Sequence, residues 1–168
     1  MIEQLNLPEP VVWPTSLSEL EHSERLVVWA LRRWALAVQD HTSHHICLVL
    51  NEFTKQFGTQ DARAAMACFV SILGVLQETA KRNLHHHQPG CPCLGVDEVW
   101  LVCLVGSCQR GEPRQARFLA EQMVREDGVG PLLAVAEHLG RAMRAHALLL
   151  PYRDGKAAPA GTMSLTIH

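Results

Sequence analysis

Apolar residues recur along this chain at the spacing of an α-helix in nearly every stretch between its prolines and glycines. Nowhere do they show the two-residue alternation of a half-buried strand. Leu20, Val27, Leu31, Trp34 and Val38 follow one another at steps of seven, four, three and four, one stripe of a 3.6-residue period. Leu26, Ala30 and Ala37 widen that stripe, so the helix it predicts, from about Leu17 to Gln39, is buried on two sides. Ser16-Leu17-Ser18-Glu19 just before it is a capping-box pattern, in which a hydroxyl and a carboxylate satisfy the first free N–H groups.

The same reading continues downstream. Asp40-His41-Thr42-Ser43 offers cap residues to a second helix carrying Ile46, Val49, Leu50, Phe53 and Phe57, ended by Gly58. Thr59-Gln60-Asp61 opens a third, with Ala65, Cys68, Phe69, Ile72, Val75 and Leu76 on its apolar face, reaching Leu84 with Lys81 and Arg82 in its last turn. A fourth begins at Val96-Asp97-Glu98, whose acids suit the positive end of a helix dipole, and carries Trp100, Leu101, Leu104 and Val105. Glu112-Pro113 sets proline at the first position of a fifth, where its missing N–H costs nothing, and Gly128 ends it. Pro131 starts a sixth through Leu132, Val135, Ala136, Leu139 and Met143. With no hairpin signal and no repeat, the prediction is an all-α, single-domain bundle of five to six helices. Residues 1–15 read as an extended N-terminal arm, 16–150 as the helical domain and 151–168 as a flexible Gly/Ala/Pro-rich tail. Leu31, Trp34, Phe53, Phe69, Leu101 and Leu139 are expected to meet in one core.

Length supports one domain, since 168 residues suffice to bury a sizeable core. Charged residues make up 19% of the chain, lean beside the roughly 25% typical of soluble domains. Lean charge points to apolar helix surface that meets a protein partner or forms a homodimer. The net charge of -2, with no clustered basic face, argues against nucleic acid. Arg32-Arg33 reads as a solvated helix face. The longest uncharged runs, Ala64–Gln77 and Val99–Gln109, fall short of the roughly 20 residues of a membrane span. Met1-Ile2-Glu3-Gln4-Leu5 lacks the basic start and apolar core of a signal peptide, so a cytoplasmic protein is expected, with no membrane contact. Its six cysteines should then be mainly reduced thiols rather than a disulfide frame.

The chemistry concentrates in His85-His86-His87-Gln88-Pro89-Gly90-Cys91-Pro92-Cys93, where three imidazoles and two thiols fall within nine residues. Thiolate and imidazole together suit Zn²⁺ first, then Cu(I) or iron, although the spacing is that of no zinc finger, ribbon or ferredoxin. Pro92 enforces the extended or turned backbone that two thiols one residue apart need in order to share a metal. The nearby helix N-terminus would lower their pKa values. Cys91 and Cys93 are therefore expected to point at one centre, with an imidazole from His87, His44, His45 or His41 close by. The plainer alternative is a turn whose thiols fill a crevice. His41, His44 and His45 form a second cluster with the i, i+3 and i, i+4 spacing of paired helix ligands, and Asp40 could orient one of them from behind. Cys47, Cys68, Cys103 and Cys108 read as small core hydrophobes. No phosphate loop or nucleophile elbow is present, and no carboxylate is singled out as an acid or base.

Leu31-Arg32-Arg33, Asp40 with His44 or His45, Cys91-Pro92-Cys93 and Asp97-Glu98 together resemble a group of small uncharacterised helical proteins from proteobacteria, over residues 24 to 146. The resemblance implies no activity. It implies that Asp40, His44 or His45 and the two loop cysteines converge, and the His85-His86-His87 run departs from the group's pattern. Three functions follow as expectations: a structural or sensory zinc protein, a non-catalytic interaction or accessory subunit, or a thiol-redox protein cycling Cys91 and Cys93. A strained C-x-C ring, with no strand before it, weighs against the last.

Overall fold

The computed structural model describes residues 13–155. It is an all-α bundle of five helices: α1 (His22–Asp40), α2 (His44–Thr79), α3 (Val96–Arg110), α4 (Pro113–Met123) and α5 (Glu126–Ala145). Among the described residues there is no β-strand, and no helix is long and apolar enough to cross a membrane.

The capping box at Ser16 forms as read, with Glu19 Oε1 accepting from the Ser16 N–H, but it opens only a single 3-10 turn, Leu17–Glu19. Leu20 is extended, and α1 starts afresh under a second capping box in which Glu24 Oε2 takes the Glu21 N–H at 2.7 Å. The second and third helices of the sequence reading run into one another as α2. They are separated by Gly58, whose φ of 74° and ψ of 164° are non-helical. That bend brings the rings of Phe53, Phe57 and Phe69 together, Phe53 standing 5.2 Å from Phe57 and 5.8 Å from Phe69 between centroids. The helix stops at Thr79, five residues short of Leu84. Ala80 turns extended there, the Lys81 N–H donates to Met123 O, and the Arg125 N–H donates to Thr79 O at 2.8 Å. The last helix begins at Glu126, with Pro131 inside it rather than at its start.

Helix α3 lies at the centre, against α1, α4 and α5, while α2 packs on α1 and α5. Its buried residues run nearly all round the helix, as expected for one with no solvated face. Leu31, Phe53, Phe69, Leu101 and Leu139 are buried in one core, with Trp34 packed on its edge. Val38, at the end of the predicted α1 stripe, is exposed, whereas its neighbour Ala37 is buried. Of the predicted arm and tail, residues 1–12 and 156–168 lie outside the described residues. Within residues 151–155, Pro151 and Tyr152 are exposed, Arg153 pairs with the fully buried Glu24, and Gly155 is buried where a Cβ would stand 2.5 Å from Leu119.

Candidate functional site

Burying an ion is costly unless a counter-ion and hydrogen bonds compensate it. Three charged side chains that the sequence placed on solvated or merely capping positions are nonetheless buried at one end of the bundle: Arg32, Asp97 and Glu98. Arg32, read as part of a solvated face, is 1% exposed. Its guanidinium meets Glu98 twice, Nε to Oε1 at 2.7 Å and Nη2 to Oε2 at 2.8 Å. Its other donors go to loop carbonyls, Nη1 to Gln88 O and Cys91 O (3.2 and 2.7 Å) and Nη2 to Cys93 O (2.6 Å). A guanidinium has five N–H donors, and all five are used.

Glu98 is equally saturated. Besides Arg32, Oε1 accepts from the His87 N–H at 3.0 Å and Oε2 from the Gly95 N–H at 2.9 Å, so two oxygens take four bonds. Asp97 holds the start of the loop, accepting the His85 N–H at 2.6 Å and both Arg82 amino groups at 2.7 and 3.1 Å. Arg82, read as a complement to a helix end, is therefore half of a fork-to-fork ion pair. From the other side the chain before α1 adds a short bridge, with Leu17 N–H donating to Pro92 O at 2.8 Å and Leu94 N–H to Thr15 O at 2.9 Å. Gly95 closes the loop against its own beginning, where an added Cβ would lie 2.7 Å from His85 O.

This clamp presents the predicted ligands. Cys91 Sγ lies 3.7 Å from His87 Nδ1, both half-buried, while Cys93 is exposed. In an extended chain residues i and i+2 share a face, and the Cys91 thiol is close enough to be the main influence on Cys93. Hydrogen bonding to Cys91 and its charge push the Cys93 thiol above its ordinary value, desolvation adds to this, and Arg32 opposes it. The expected lowering by the α3 N-terminus is not what governs Cys93. At that terminus the Glu98 carboxylate takes the Gly95 N–H.

The second histidine cluster is built differently from its spacing. His41 lies outside α2, in the left-handed conformation that ends α1 (φ 51°), so it shares no helix face with His45. His44 begins α2 and stacks edge-on against His45 at 5.5 Å. His45 Nε2 stands 3.8 Å from Asp40 and its Nδ1 is 3.4 Å from Arg33, so Asp40 does neighbour a histidine as expected. Among the described residues no hydrogen bond or ion pair joins this cluster to the cysteine loop, and no three His, Cys, Asp or Glu side chains are grouped so as to hold a metal ion. Of the other cysteines, Cys103 is buried and Cys108 and Cys68 are half-buried. Cys47, read as core, is exposed because it falls on the outer side of the first turn of α2.

Sequence reasoning missed Arg32 and undervalued Asp97 and Glu98. Signals were present. Arg32 follows Val28 by one turn within a helix buried on two sides, and no charge separates Glu98 from Arg110, leaving α3 without a face for solvated acids. Comparison with family models, with curated proteins and with solved structures finds no match for the chain.

Proposed function

We propose that this is a metal-binding protein of structural or sensory type, working in a reducing cytoplasm, which takes Zn²⁺ at the loop between α2 and α3. The observation that carries the reading is the 3.7 Å between Cys91 Sγ and His87 Nδ1. A tetrahedral zinc with Zn–S near 2.3 Å and Zn–N near 2.0–2.1 Å holds such donors about 3.6 Å apart. The pair thus has ligand spacing with the loop backbone already fixed. The loop is held by the buried Arg32, Glu98 and Asp97. Cys93 adds a second thiol beside the first.

Zinc content of untagged, full-length protein, measured by elemental analysis after exhaustive dialysis, tests the proposal. Stoichiometric retention of zinc, lost in Cys91→Ser, is expected. Because ligand binding energy is folding energy, Cys91→Ser should also lose the rise in Tm that zinc confers on the wild type. Zinc retained equally by Cys91→Ser, or by neither protein, would refute it.

A further inference from the structure

We infer that Cys91 and Cys93 form a reversible dithiol–disulfide pair, closed by a hydroperoxide and opened by a thiol reductant, an activity that goes beyond zinc binding and does not depend on it. The backbone of the pair is pinned from two sides. Arg32 donates from Nη1 to Cys91 O at 2.7 Å and from Nη2 to Cys93 O at 2.6 Å, so both carbonyls face one buried guanidinium. The chain before α1 holds the residues between and after them, Leu17 N–H donating to Pro92 O at 2.8 Å and Leu94 N–H to Thr15 O at 2.9 Å. An extended chain sets residues i and i+2 on one face. There the two thiols meet, that of Cys93 hydrogen-bonded to that of Cys91. His87 Nδ1 lies 3.7 Å from Cys91 Sγ, and the exposure of Cys93 opens the pair to a small oxidant.

Span decides whether the ring can close. Two steps of extended chain separate Cα atoms by about 6.6 Å. Disulfides bridge roughly 4.4–6.8 Å, so the bond is feasible but lies near the far limit. Strained or exposed disulfides are the readily reduced ones, so ring strain disfavours a permanent cross-link and suits a reversible one. A hydroperoxide is the only co-reactant needed to close it. The Cys91 sulfur attacks one peroxide oxygen. An S–O bond forms, the O–O bond breaks, and the other oxygen leaves as water or alcohol with the Cys91 thiol proton, which the adjacent imidazole can relay. The Cys93 sulfur then attacks the Cys91 sulfur. An S–S bond forms, the S–O bond breaks, and the hydroxyl leaves as water with the Cys93 proton. The two sulfurs give up two electrons and the peroxide takes both.

Peptide mapping by mass spectrometry tests the inference on the full, untagged chain, stripped of metal by a chelator and treated with a small excess of hydrogen peroxide. Cleavage after Arg82 and Glu98 separates Cys91 and Cys93 from the other four cysteines. The peptide between is expected to lose two hydrogens and to regain them with reduced glutathione. In Cys93→Ser the first step has no partner to resolve it, and a sulfenic acid on Cys91, trapped by dimedone, should accumulate. A pair that stays reduced would overturn the inference, as would a disulfide from Cys91 or Cys93 to any other cysteine or to a second chain. Wild-type Cys91 carried on to sulfinic acid while Cys93 remains a thiol would overturn it too. A chain that forms the Cys91–Cys93 disulfide but retains no zinc removes the metal proposal alone. A chain that retains zinc but, once stripped, does not close the disulfide removes this inference alone.

Discussion

At the scale of single residues, the Arg32–Glu98 pair is the most consequential feature of the chain. Each partner is fully satisfied, so removing one leaves an uncompensated buried ion, and such changes cost about 3–5 kcal/mol. Glu98→Gln is expected to lower the stability measured in urea by that amount. Arg32→Met combined with Glu98→Met should cost less than the two single changes added together, since no charge is then left alone. Arg32→Lys keeps the charge but cannot reach Glu98 and three carbonyls at once. Its zinc affinity, read by competition with a chromophoric chelator, should fall roughly 10–100-fold, the usual effect of losing an outer-shell partner. Neither residue could be recognised from its own letter. An arginine in a buried site and one in water look alike in sequence, and the partner that distinguishes them is 66 positions away.

The buried thiols carry a pH dependence of their own. Desolvation pushes Cys108 up to about 11 and Cys103 up to about 12, against an ordinary value of 9.0. Both values are raised in the folded state. Their stabilising contribution is therefore whole below the unfolded value and is lost as pH climbs through the folded ones. The unfolded chain releases these protons first, and the equilibrium shifts toward it. Urea midpoints should fall as pH rises from about 9 to about 11, and replacing both residues by alanine should flatten that part of the decline.

At the scale of elements, the signals that worked were those whose physics is local. Pro113 opens α4 and Val96 opens α3 where the reading put them, since a proline at N1 and acids in a first turn act through adjacent N–H groups. Gly58 interrupts α2 as expected, though it bends the chain rather than ending it. Its φ and ψ fall in a region open essentially to glycine alone, and an added Cβ would meet nothing within 4 Å. Gly58→Ala should therefore cost about 1–3 kcal/mol through backbone strain, with no contribution from crowding. Thermal unfolding followed by circular dichroism would check it. The end of α2 was misjudged because its cause is tertiary: Thr79 O, the Lys81 N–H and Ala80 are taken by the α4–α5 junction. The first turn failed for a similar reason. A sound capping box started a helix at Ser16, but the chain had to bridge Cys93 and pass Leu20 into the core before α1 could begin.

For the whole molecule, one core and one clamped loop make up the design. Phe69 is 1% exposed at the meeting of the two arms of α2, and Phe69→Ala should lose roughly 3–5 kcal/mol by transfer and cavity formation. That change lies in the core, apart from the loop, so zinc stoichiometry at temperatures where the variant is folded should be unaltered. Changes at Arg32 should move stability and zinc binding together. The bundle was legible because a 3.6-residue period is written into each segment separately. Of the candidate site, the approach of His87 to Cys91 was legible and the arrangement of the other histidines was not. His87 and Cys91 were brought together by the turn between them, whereas His41, His44 and His45 depended on where α1 ended, a boundary set by a left-handed residue that sequence spacing does not reveal.

The central proposal is that the clamped loop offers zinc one sulfur and one nitrogen, 3.7 Å apart, near the separation that a shared tetrahedral metal imposes. Zinc K-edge X-ray absorption of the untagged, zinc-loaded chain reads that shell directly. Sulfur at about 2.3 Å and nitrogen at about 2.0–2.1 Å in one shell are expected, with the sulfur contribution reduced in Cys91→Ser. A shell of nitrogen and oxygen alone, unchanged by Cys91→Ser, would contradict the claim and leave the histidine run as an adventitious metal binder.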